Sequence, residues 1–147
     1  MAATYTVDAS VFLNAFNPYE PGHTESQRLL ALMQQDATPI IVPTLLLPEV
    51  AAAVRRGRGD AKLARRFSAT LSGLPHLVLI PLDITLARRA AALAAQHPLR
   101  GSDAIYTAVA LRFGSTLVTL DRQQRERAAE IVPTCWPQEA LAEWSAR

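Results

Sequence analysis

Thirteen of the 147 residues are acidic, and four of the thirteen sit where a charge is costly. Asp8 ends the β-favouring run Thr4, Tyr5, Thr6 and Val7, and Asp121 ends the run TLVTL, Thr116 to Leu120. Both runs read as buried strands, where an unpartnered carboxylate is expensive. Glu49 stands in an otherwise apolar helical stretch just after PIIVP, and Asp103 opens the helix AIYTAVALRF behind a Ser102 cap. In a parallel α/β sheet, strand ends and the N-termini of the following helices share one edge, and ligands bind there. Four acids far apart in sequence can therefore meet.

Two carboxylates about 4 Å apart repel by roughly 4 kcal/mol at an effective dielectric near 20. Four together require protonation or a cation. Oxygen-only ligands suit a hard ion, Mg²⁺ or Mn²⁺, which keeps much of its water. Such an ion in an open carboxylate site activates water and steadies a phosphate during in-line displacement, so nuclease chemistry is the economical reading. Each acid also has a structural alternative. Asp8 could be a buried acid satisfied by backbone N–H groups. Asp103 could simply complement a helix dipole, Glu49 could turn outward, and Asp121 could be a helix cap. Asp83 follows a strand and starts a helix just as Asp121 does. Spacing alone does not separate the two, and Asp83 is read as a cap.

The elements that must position these acids alternate. Ser10 is expected to N-cap a first helix, and NPYEPGH from Asn17 to His23 is turn chemistry. Thr24 and Gln27 predict a capping box on a helix ending near Asp36. Pro39–Pro43 reads as a doubly buried strand, followed by a helix from about Thr44 to Arg56 with Pro48 in its first turn. RGRGD breaks that helix, and Ala61–Leu71 forms another, basic on one side. Leu77–Leu82 is a strand, and Asp83 starts an alanine-rich helix reaching about Gln96. HPLRGS is a loop, Gly114 stops the next helix, and a charged helical run follows Asp121 to Glu130. Ile131–Thr134 is expected to be a last short strand. This alternation predicts a three-layer α/β domain with a mostly parallel central sheet, a single unit over 1–147.

Half of the chain is hydrophobic, which is ample for one core. Cys135 is the only cysteine, so no internal disulfide can form and a reducing compartment is expected. The start of the chain lacks the pattern of a signal peptide, and Ile40–Val54 is too short and too interrupted by Pro43, Pro48 and Glu49 to span a bilayer. A soluble cytoplasmic protein without membrane attachment is the expectation. The net charge is +2, with Lys62 the sole lysine among 15 basic residues. Arginines cluster at Arg55, Arg56, Arg58, Arg65 and Arg66, and again at Arg122, Arg125 and Arg127. Arginine forks suit phosphates and carboxylates, although solvated helix faces in an arginine-rich chain would look the same.

His23, His76 and His97 lie beside turns with no metal-ligand spacing, and Cys135 has no catalytic context. Trp136, Leu141 and Trp144 read as a tail packed on the body or on a partner. Gly101 and Gly114 are read as turn and helix-stop glycines, since no phosphate-loop pattern exists.

The stretches VDASVFLNAF at Asp8, LLLPEVAAAV at Glu49, PLDITLARRAAALA from Pro81 and LRGSDAIYTAVALRFGSTLVTLD from Leu99 to Asp121 resemble the PIN domain, in particular the VapC-type toxins of toxin–antitoxin pairs. The resemblance spans nearly the full chain. It implies a PIN fold, a Mg²⁺- or Mn²⁺-dependent endoribonuclease acting on RNA, and an antitoxin partner that blocks the site, with a homodimer as the expected assembly. Asp8 and Asp103 would be the principal metal ligands, and Glu49 and Asp121 would complete the catalytic acidic cluster. Ser10 and Thr119 match positions where the family often carries a hydroxyl near that cluster. A haloacid-dehalogenase-like phosphatase also hangs an aspartate on its first strand, but it wants a second aspartate where Ser10 stands. The rival from another class is a catalytically silent PIN-fold module that binds RNA or protein.

Overall fold

Period-two alternation along short apolar strands divides the interior into two cores, one on each face of a sheet. The computed structural model describes residues 3–147. Among these it contains five strands: β1 (Tyr5–Val7), β2 (Ile40–Pro43), β3 (Leu77–Ile80), β4 (Thr116–Val118) and β5 (Thr134–Cys135). Eight helices accompany them: α1 (Ala9–Phe16), α2 (His23–Gln35), α3 (Leu46–Arg58), α4 (Ala61–Ser72), α5 (Ile84–Gln96), α6 (Gly101–Phe113), α7 (Arg122–Ala128) and α8 (Pro137–Ser145). All strand pairs are parallel, in the order β3-β2-β1-β4-β5. Tyr5, Val7, Ile40, Val42 and Val118 join a core with Val11, Phe12, Leu29, Met33 and Val50. Ile41 and Leu117 belong to the opposite core, with Leu86, Tyr106 and Val109. Each fully buried aliphatic side chain contributes about 1.5–3 kcal/mol, so both faces are firmly held. The three-layer α/β expectation is met.

The chain leaves β1 toward β2 and β3 on one side, and returns to place β4 and β5 on the other. The order therefore reverses between β1 and β4, and the carboxyl ends of those two strands flank a natural crevice. Asp8 directly follows β1, and its N–H donates to Val118 O at 2.9 Å. The second organising element is α6, buried along most of its length against α5 and against β1, β2 and β4. A helix apolar nearly all round belongs inside, and this one carries Asp103 in with it.

Several local expectations are corrected. Asp8, not Ser10, caps α1, because its Oδ2 accepts the Ser10 N–H at 3.0 Å. Thr24 and Gln27 form no capping box; α2 starts at His23 behind Gly22, whose φ of 83° needs no side chain. Helix α3 runs through Gly57 to Arg58 and stops at Gly59, in the left-handed region at φ 66°. Ser102 does not cap α6, which begins at Gly101 behind Arg100, so Gly101 is helical rather than a turn residue. β3 stops at Ile80, β4 stops at Val118, three residues before Asp121, and α7 stops at Ala128. The last strand is Thr134–Cys135, because Leu117 and Val118 pair with those residues. Asp83 caps α5 as expected, accepting Leu86 N–H at 2.9 Å, and Gly114 ends α6 at φ 63°.

The tail packs on the body. Trp144 of α8 is buried, its ring 5.8 Å from that of Tyr5, and its Nε1 donates to Asp36 Oδ2 at 2.9 Å. No described helix is long and apolar enough to cross a membrane.

Candidate active site

A cleft of about 500 Å³ opens at the carboxyl edge of β1 and β4, and Asp8, Glu49, Asp103 and Asp121 all line it. Asp8 and Asp121 reach it as the capping residues of α1 and α7. Glu49 and Asp103 reach it from the first turns of α3 and α6, so four helix N-termini supply the four acids. Positive dipole ends there reduce, without cancelling, the repulsion among them.

Burial dominates the electrostatics. It pushes the Asp8 carboxyl up; the Ser10 hydrogen bonds oppose this, and the negative charge of Asp103 adds to it. Burial also pushes Glu49 up, opposed by the Tyr106 hydroxyl and reinforced by Asp8 and Asp103. The neighbouring negative charges thus add to the cost of ionising Asp8 and Glu49. Burial pushes Asp121 up as well, but the Gln124 N–H and the Arg100 guanidinium outweigh it and hold that carboxyl below its ordinary range.

Two residues at the site escaped the sequence reading. Arg100 Nε donates to Asp103 Oδ2 at 2.9 Å, and its Nη2 donates to Asp121 Oδ2. The Tyr106 hydroxyl donates to Glu49 Oε1 at 2.7 Å, and burial together with the Glu49 charge pushes the phenol far up, so it stays protonated as a donor. Each had a signal. Arg100 stands three residues before Asp103, one turn along the same face. Tyr106 places a polar tip in an otherwise buried helix, and such a hydroxyl needs a partner.

The two hydroxyls expected near the cluster shape the β4–α7 loop. Ser10 Oγ accepts the Leu120 N–H at 3.1 Å. Thr119 Oγ1 accepts the Asp121 N–H at 3.0 Å and donates to Gln124 Oε1 at 2.6 Å, a buried arrangement that fixes where Asp121 points. Cys135 stands outside this cleft, and burial pushes its thiol up to about 12, which leaves no thiolate at neutral pH. His23, His76 and His97 also lie outside it.

Comparison with known families decides the lineage: the PIN domain family matches residues 5–130. The chain belongs to the PIN-domain family. A search of curated proteins finds no match. Among solved structures, this PIN protein is similar to VapC20 of Mycobacterium tuberculosis, described as a toxin cleaving the sarcin–ricin loop. The two share 19% identity over 88% of this chain and 97% of that one, with a TM-score of 0.71. PAE2754 from Pyrobaculum aerophilum shares 23% identity over the whole of both chains, with a TM-score of 0.68. VapBC2 from Rickettsia felis, bound to a DNA fragment from its promoter, shares 14% over 90% of this chain and 98% of that one, also with a TM-score of 0.68. At these identities the likeness is one of fold.

The cleft suits a hard divalent ion by its donor chemistry: four carboxylates, with the hydroxyl-bearing Ser10 and Ser102 beside them and no sulfur or imidazole in the lining. Among the described residues no three His, Cys, Asp or Glu side chains stand close enough together to hold a metal ion, and Arg100 pairs with two of the four acids.

Proposed function

We propose that this PIN-domain protein is a Mg²⁺- or Mn²⁺-dependent endoribonuclease and the toxin of a toxin–antitoxin pair. The observation that carries the reading is the convergence of Asp8, Glu49, Asp103 and Asp121, from four separate elements, on one cleft at the sheet's switch point. Asp8 and Asp103 would be the principal ligands of the ion, with Glu49 and Asp121 completing the set directly or through water. The chemistry such an ion supplies when bound is activation of water and neutralisation of phosphate charge. The chain's own residues do the rest. The Asp8 cap and the Thr119–Gln124 pair hold two acids at fixed distances from the α1 and α7 backbones, and Tyr106 orients Glu49. Arg56 and Arg100, both lining the cleft, supply positive charge where an RNA phosphate must approach. Hydrolysis adds water across a P–O bond, and both products leave through the open side.

Structural relatives that include a sarcin–ricin-loop-cleaving toxin and a toxin–antitoxin complex from Klebsiella pneumoniae support the toxin part of this reading. An antitoxin covering the cleft, a homodimeric assembly, action in the cytoplasm and one functional unit over 1–147 belong to the same reading. The test is cleavage of RNA by purified protein with Mg²⁺, with Mn²⁺ and with chelator, beside Asp8→Asn. Metal-dependent cleavage lost in Asp8→Asn is the expected result. RNA binding without cleavage under any metal would instead favour a catalytically silent binding module.

A further inference from the structure

Arg100 covers the acidic edge from outside. Its side chain is 54% exposed, whereas the Asp103 side chain beneath it is 6% exposed. Nε donates to Asp103 Oδ2 at 2.9 Å, and Nη2 lies 3.5 Å from Asp103 Oδ1 while also donating to Asp121 Oδ2. One guanidinium thus spans both oxygens of Asp103 and one of Asp121. These are two of the four acids to which the proposed function gives the divalent ion. A guanidinium fork and an ion cannot occupy the same lone pairs of one carboxylate together.

Resting on that function, we propose that Arg100 is an exchangeable counter-ion, which ties Asp103 to Asp121 in the metal-free protein, yields them to the divalent ion, and then grips the RNA phosphate. Release is structurally inexpensive. Arg100 precedes α6 with extended backbone at φ −67° and ψ 158°, and its side chain makes no capping hydrogen bond, so it can swing without unwinding the helix. Its charge cannot balance the edge, since even with Arg56 only two guanidiniums line a cleft that holds four carboxylates. An ion carrying two charges is the better partner for them. Once displaced, the fork remains at the cleft mouth, where phosphate offers the same bidentate geometry that carboxylate did. The exchange makes Arg100 sense loading: phosphate is gripped only where the ion has taken the acids.

Arg100→Gln and Arg100→Lys test this, with Asp103→Asn as control. Mn²⁺ affinity is measured on RNA-free protein by isothermal titration, and KM and kcat for RNA are then measured at saturating Mn²⁺. Arg100→Gln is expected to bind Mn²⁺ about 10-fold more tightly, in the range by which outer partners of a metal site alter affinity. Its KM for RNA should rise by about 10-fold, as loss of a charged hydrogen bond predicts, with kcat changed far less. Arg100→Lys keeps the charge but not the fork, and should fall between. Unchanged or weaker Mn²⁺ binding by Arg100→Gln, with wild type binding Mn²⁺ and cleaving RNA, overturns the exchange alone. Tighter Mn²⁺ binding with unchanged KM also overturns it. A wild-type protein that binds no more Mn²⁺ than Asp103→Asn overturns the exchange and the metal-dependent reading together.

Discussion

Tyr106 and Glu49, 57 positions apart in sequence, meet through a 2.7 Å hydrogen bond that ties α6 to the first turn of α3. Tyr106 is fully buried, hydroxyl included, so it holds Glu49 from behind the cleft wall rather than from within the cleft. The same residue therefore packs the interior and aims a site carboxylate.

Tyr106→Phe separates those two roles. The ring packing stays, so the loss of stability should be about 1 kcal/mol, the worth of one hydrogen bond. In a domain of this size that is about 2–4 °C in Tm. Turnover should fall more sharply, by about 10-fold, because Glu49 loses its orienting partner. Thermal melts beside RNA cleavage rates check both numbers, and a variant with normal turnover would remove Glu49 orientation from the mechanism.

Asp8 and Glu49 carry carboxyls raised above their unfolded values, so the native state holds protons that the unfolded chain has released. Stability contributed by such groups is present at low pH and declines from about pH 4, where unfolded carboxyls ionise, up through the raised native range. Asp121 is lowered, and its contribution is present at neutral pH and lost as pH falls below about 4. Asp8→Asn keeps the α1 cap and removes one charge. The metal-free variant should melt about 2–4 °C higher at pH 7, equivalent to about 1 kcal/mol, and lose less stability on raising the pH from 4 to 7. Urea unfolding at several pH values reads the slope, and an unchanged slope would place the linkage elsewhere.

Asp83 and Asp121 both cap helices, but only Asp121 lines the cleft and pairs with Arg100. Asp83→Asn should be nearly silent in melting and in turnover, since asparagine caps about as well. Asp121→Asn should keep the fold and cut turnover by about 10- to 100-fold. Equal losses in the two variants would mean that the wrong edge has been assigned.

The last turns of α3 carry Arg55, Arg56 and Arg58; Arg56 lines the cleft and Arg58 lies 5.5 Å over the Phe16 ring. Replacing all three with glutamine should weaken RNA binding and flatten its salt dependence, by about 0.7 in logarithmic slope for each single-strand phosphate that is no longer neutralised. Mn²⁺ affinity should hardly move, because none of the four acids is touched. Titrations of RNA at several salt concentrations supply the slope. An unchanged slope would assign these arginines to solvent or to a protein partner.

The sequence by itself determined the layer architecture and the small set of acids, Asp83 among them, that one sheet edge could gather. Short apolar runs buried on both faces in β1, β2 and β4, proline and glycine punctuation, and the placing of Asp8, Glu49, Asp103 and Asp121 at strand ends or first turns are local facts. Local physics is enough to express them, because a parallel sheet sends every such position to one edge. Helix starts were less legible. At Ser10, Thr24 and Ser102 a good capping residue was present, but backbone position decided, and the neighbouring Asp8, Gly22 and Arg100 took the cap. Only the tertiary structure decided which acids have which partners. Asp83 and Asp121 are equivalent in sequence, and they part because β4 lies beside β1 at the switch point while β3 lies at the far edge of the sheet. Arg100 joins Asp103 to Asp121, and Tyr106 reaches Glu49, across distances in the chain that no local pattern encodes. The physical reason is that hydrogen bonds and ion pairs act over a few ångströms in space, while sequence periodicity reports only which face of an element looks inward.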